Sequence, residues 1–137
     1  RAVISYRDND VPKEYSTSIY VHWNGGRASV EGFLNVANKI GVRAGQGDYA
    51  MARLTQIISN YFGGTLSIGV GIYKHMDTDN YDNGVYWIAS DQKGDLVIVD
   101  REFVRHKEQM DYELKDMTDD IMETMPQSYK EKESEVA

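Results

Sequence analysis

The chain has 137 residues, a length that fits one domain around a single core. It is 41% hydrophobic and 27% charged, so its body should be globular, and with no cysteine it excludes disulfides and thiolate metal sites. The net charge of −7 is uneven: residues 1–100 hold nine Lys/Arg against eleven Asp/Glu, and residues 101–137 six against eleven, which argues against a basic face for nucleic acid.

No stretch approaches the roughly 20 apolar residues that span a bilayer, and no signal-like apolar run is present, so a cytoplasmic, membrane-free protein is expected. A chain beginning at Arg1 is expected to have lost its initiating end. The first elements are strands over 2–6 (AVISY) and 17–23 (TSIYVHW), rich in β-branched and aromatic residues around a polar loop. In the second, Trp23 alternates with Ile19 and Val21, which aims its ring at the core. Ser18, Tyr20 and His22 share the other face.

The period then changes to 3.6. Val30, Phe33, Leu34, Ala37 and Ile40 predict a helix over 30–40, with Ser29 as N-cap and Gly41 as stop. A second helix is predicted from Asp48, its stripe being Met51, Leu54, Ile58, Tyr61 and Phe62, ended by Gly63-Gly64. Residues 65–73 (TLSIGVGIY) predict a strand that buries Leu66, Ile68, Val70 and Ile72. Gly69 and Gly71 on its other side leave room for a packed neighbour or for a ligand. Two consecutive helices return the chain to the end it left, so this strand should run antiparallel to 17–23. Strands over 84–90 and 95–100 follow, joined by the turn Asp91-Gln-Lys-Gly94.

The expected core, residues 1–100, is therefore α+β: an antiparallel sheet of about five strands in the order ββααβββ with two helices on one face. Beyond it, Phe103, Met110, Leu114, Met117, Ile121 and Met125 predict a long, acidic amphipathic helix over 101–126. Its stripe could join two copies in a homo-oligomer, dock on the same chain or meet another protein. Residues 127–137 carry no core-forming pattern and are expected to be a loose tail.

The segment Asn24-Gly25-Gly26-Arg27 lies between a strand and a helix. Its glycines permit close approach, the helix start attracts anions and Arg27 could clamp a phosphate, or the glycines could simply make the turn. Arg43 to Asp48 offers a weaker version. Tyr20, His22, Tyr73 and His75 could line a pocket on the face away from the helices. Asp77, Asp79 and Asp82 resemble a calcium loop but are out of register with it. No catalytic arrangement is placed by spacing, so a binding protein is expected, needing no cofactor or metal. A small hydrolase using His22 is the alternative.

At these residues a resemblance enters. The stretches IYVHWNGG, YAMARLTQIISNYFGG, LSIGVGIY and DNGVYWI resemble small accessory proteins of phages, prophages and other mobile elements, in which a strand ends His-Trp-Asp/Asn-Gly. The likeness spans residues 15–90. It implies an anti-defence role, either binding a host defence protein or sequestering a nucleotide-like signal. Asn24 stands where the resemblance leads one to expect Asp, removing a charge, and the segment after 101 is not covered.

Overall fold

The computed structural model describes residues 1–104 and 115–130. Five strands, β1 (Ala2–Tyr6), β2 (Thr17–Val21), β3 (Ile68–Ile72), β4 (Val85–Ser90) and β5 (Leu96–Glu102), form one sheet in the order β3-β2-β1-β4-β5. Among the described residues, the helices α1 (Arg27–Lys39), α2 (Gly47–Tyr61) and α3 (Thr118–Glu123) and a further helical turn at 127–130, which begins the stretch expected to be a loose tail, complete the α+β fold, with 3₁₀ turns at Lys13–Tyr15 and Tyr73–His75.

The sheet is mixed rather than antiparallel. β2 runs antiparallel to β1 and to β3, as expected, and β5 antiparallel to β4, but β1 and β4 are parallel. The cause is a long-range placement. After β3 the chain passes β2 and β1 before adding β4 beyond them, and residues 73–84 carry it back to the end from which β1 starts.

The helical stripes pack as their spacing predicts. Val30, Phe33 and Ala37 of α1 and Met51, Leu54 and Ile58 of α2 cover Ile4, Tyr6, Ile19, Val21 and Ile88 of the sheet. Each such side chain contributes about 1.5–3 kcal/mol by leaving water. The end of α1 is the expected one: Gly41 takes φ 83° and the Val42 N–H returns to the Ala37 carbonyl. The start is three residues earlier than expected. Gly26, extended at φ −68° and ψ 159°, occupies the cap position with no side-chain hydrogen bond, and Ser29 is buried inside the helix. Likewise α2 begins at Gly47, so Asp48 lies in its first turn and is not the cap.

Three further expectations are corrected, two about burial and one about the C-terminal helix. β3 is an edge strand, where the helices cover only part of one face: Val70 is 60% exposed, and Leu66, outside the strand, is fully exposed. Trp23 is 59% exposed because β2 stops at Val21 and Asn24 turns the chain at φ 56°, so the alternation does not reach the ring. No single helix covers 101–126. β5 runs on through Glu102, and α3 is six residues long.

Phe103 lies beneath the Arg101 guanidinium, and Met110 and Leu114 lie outside the described residues. Met117 and Ile121 are not a free seam. Ile121 is fully buried in the core of its own chain together with Met122 and Met125, and Met117 packs against it. Gly32 makes this possible, since a Cβ there would come within 2.8 Å of Ile121 Cδ1 and 3.1 Å of Met117 Cβ. Asn35 Nδ2 donating to Thr118 Oγ1 and Asn60 Nδ2 donating to the Thr124 carbonyl fasten the segment.

Candidate functional site

The end of β2 and the start of α1 enclose an open groove of about 580 Å³, lined by His22, Trp23, Asn24, Gly25, Gly26 and Ser29 on one side and by Arg1, Asp82 and Asn83 on the other. Its parts are placed by backbone geometry. Asn24, in the left-handed region, turns the chain, and its Nδ2 donates to Ser29 Oγ at 3.2 Å. Gly25 is a close-approach glycine: a Cβ would lie 2.9 Å from the Arg1 carbonyl carbon and oxygen, and its own carbonyl accepts the buried Tyr86 hydroxyl at 2.7 Å. Its role is therefore to seat the turn on β1 and β4.

Tyr20 joins the groove indirectly. Its hydroxyl and His22 Nδ1 are 3.0 Å apart, and the His22 ring meets Trp23 edge-on at 4.6 Å. Burial raises the Tyr20 phenol above its ordinary range; Arg1 works against this, and Asp77 and Asp82 add to it. Among the described residues no side chain makes a cap hydrogen bond at Gly26, and the first turn of α1 holds no acid.

The remaining candidates lie elsewhere. Arg27 Nε is 2.7 Å from Glu31 Oε1, and the pair lines a separate groove beside Leu34, Asn35 and β5. Tyr73 packs at 5.1 Å on Trp87, and its hydroxyl donates to Glu102. His75 is exposed and outside the groove. The expected pocket on that face is instead a small apolar cluster of Val3, Val85 and Trp87 with Tyr20, Tyr73 and Met76. Met76 also fills the room beside Gly71, its methyl 3.1 Å from where a Cβ would be.

The acidic loop is organised by an amide. Asn80, 1% exposed, accepts from the Gly84 and Asp82 N–H groups through Oδ1 and donates to the Asp77 and Gly84 carbonyls through Nδ2. Among the described residues no three His, Asp or Glu side chains gather as a metal site.

At the other end of β1 lies a charged cluster that sequence spacing missed. Arg7 Nη2 is 3.0 Å from Asp100 Oδ2, and Lys13 Nζ is 2.7 Å from Glu102 Oε2. Both cations stand over the ring of the buried Trp87, at 5.7 and 5.8 Å. A pocket of about 340 Å³ opens among them, with Asp8 and Asn9 at its margin.

Burial pushes the Glu102 carboxyl up, but hydrogen bonds from Lys13 and Tyr73 outweigh it and hold it below its ordinary value. The hydrogen bond from Arg7 lowers Asp100, helped by the Arg101 N–H. Burial and the bond to Glu102 hold the Tyr73 phenol well above its ordinary range. Each cation already has a carboxylate, so a ligand entering here must break an ion pair. The available signal was Asp100 and Glu102 at i and i+2, on one face of a strand.

No family model, curated protein or solved structure matches the chain.

Proposed function

We propose that the protein is a non-enzymatic binding protein that holds a nucleotide-like ligand in the groove at the start of α1. Following the resemblance of its His-Trp-Asn-Gly segment, we further propose that it serves a phage or other mobile element by removing such a ligand from host defence. The observation that carries this reading is Trp23. A tryptophan 59% exposed beside an open groove leaves a large apolar ring in water, and such a ring is a ready platform for a base. The start of α1, with Gly26 at its cap position and no acid in its first turn, brings the positive end of the helix dipole to the groove, where a phosphate would be favoured.

Arg27 has no part in this reading, since its guanidinium is held by Glu31 away from the groove. The reading in which 101–126 binds a foreign protein as an amphipathic helix loses support, because Met117 and Ile121 are used within the chain.

Calorimetric titration with cyclic dinucleotides, ADP-ribose and inorganic phosphate tests the proposal. Trp23→Ala should weaken binding of the best nucleotide by about 1–3 kcal/mol, the value of one base–aromatic stack. Its cost to folding should stay under about 1 kcal/mol, as for a surface position. The absence of any heat with the wild-type protein, or equal affinity in Trp23→Ala, contradicts it.

A further inference from the structure

We propose that the outer edge of β3 pairs with the same edge of a second copy of this chain, giving a two-fold dimer with one continuous sheet. The backbone groups of β3 alternate in direction along the strand. The His22 N–H donates to the Ser67 carbonyl and the Tyr73 N–H to the Ser16 carbonyl, and Gly69 and Gly71 stand in register with Tyr20 and Ser18. Residues 67, 69, 71 and 73 therefore bond inward, and Ile68, Val70 and Ile72 aim their N–H and C=O groups outward. Among the described residues nothing pairs with that edge.

The sequence of β3 says what fits there. Ile68-Gly-Val-Gly-Ile72 reads the same in both directions about Val70. In an antiparallel pairing centred on Val70, Ile68 faces Ile72 of the copy, Val70 faces its own counterpart, and each such pair can exchange two N–H···O bonds. Glycine then meets glycine at the non-bonded positions, where antiparallel strands approach most closely. A two-fold interface requires a surface to complement itself, and this one does so in both hydrogen-bond phase and side-chain size. The pairing would also cover Val70, whose side chain is otherwise 60% exposed.

The two edges of the sheet differ in how they are protected. β5 carries Asp100, Arg101 and Glu102 and a register shift opposite Trp87 and Ile88, the devices that keep edges from joining. β3 has no charge, no proline and no shift in its register.

Sedimentation velocity and light scattering on the intact chain at micromolar concentration are the test. The wild type should have twice the 15.6 kDa of one chain. Val70→Pro removes an outward N–H while leaving the bonds to β2, a change that edge strands tolerate, and should give a folded particle of one chain mass. Val70→Lys keeps the N–H and opposes two like charges at the symmetry axis, so it should also be monomeric and decides the matter if the proline variant does not fold. A wild-type monomer, a mass that keeps rising with concentration, or a folded Val70→Lys that remains a dimer overturns the proposal.

Discussion

The two faces of the sheet are covered in different ways. On one, α1 and α2 lay continuous apolar stripes over Ile4, Ile19 and Ile88, and α3 closes over α1 at Gly32. On the other, the cover is the crossing segment after β3 and the turn before β2, with Tyr73 on Trp87, Met76 beside Gly71 and the pairs Arg7–Asp100 and Lys13–Glu102 at the rim. The first is held mainly by apolar burial, which pH hardly affects. The second depends on charged hydrogen bonds, so acid and alkali should separate the two.

The largest effect is expected on the helical face. Ile121→Ala should cost about 2–5 kcal/mol, the range for truncating a buried aliphatic side chain. Urea unfolding would show it as a lower midpoint with an unchanged slope. An unaltered midpoint would mean that α3 adds nothing to the core.

On the opposite face, Glu102→Gln should cost about 1.5–3 kcal/mol, because Lys13 and Tyr73 lose a charged acceptor. The same group gives the pH dependence. Asp100 and Glu102 are held below their ordinary values of 3.8 and 4.5, so the unfolded chain takes up protons first as pH falls. Their stabilisation is complete above those values and is lost as pH drops through the lowered range. Tyr73 is raised above 10.0, so its contribution is complete below that pH and is lost as pH rises beyond it. Thermal melts of Glu102→Gln should show a shallower acid limb than the wild type; an identical limb would remove Glu102 from the account.

The smallest effect belongs to Arg27→Ala. Its exposed i,i+4 pair with Glu31 is worth about 0.3–0.5 kcal/mol, and ligand affinity at the groove should not change. A large loss of affinity would return Arg27 to the site.

Much of the helical face was legible in the sequence. The stripes of α1 and α2, the stop at Gly41 and the hairpin turn at Asp91, whose Oδ1 accepts the Lys93 and Asp95 N–H groups, are local patterns with local causes. The parallel pairing of β1 with β4 was not legible, because alternation reports which faces are apolar but not which strand lies alongside. Val70 misled for a related reason: its alternation is real, but burial depends on whether a helix extends over the edge, while Leu66 lies before the strand begins. Of the site, the turn at 22–26 was legible from Asn-Gly-Gly, and the partners of Arg27 and Tyr73 were not. Glu31 is a local i,i+4 neighbour that the phosphate reading passed over, and Glu102 lies far along the chain.

Trp23 is the proposed ligand platform, and it can be observed directly. The chain has two tryptophans, Trp23 exposed in the groove and Trp87 buried under the charged cluster, so the indole N–H region of a ¹⁵N-edited NMR spectrum should hold one signal from each. Trp23→Phe assigns them. Titration with the tightest nucleotide of the calorimetric panel should shift the Trp23 signal progressively and leave that of Trp87 in place. Movement of Trp87 alone would put the ligand in the charged cluster, and movement of neither would contradict a nucleotide-binding groove at the start of α1.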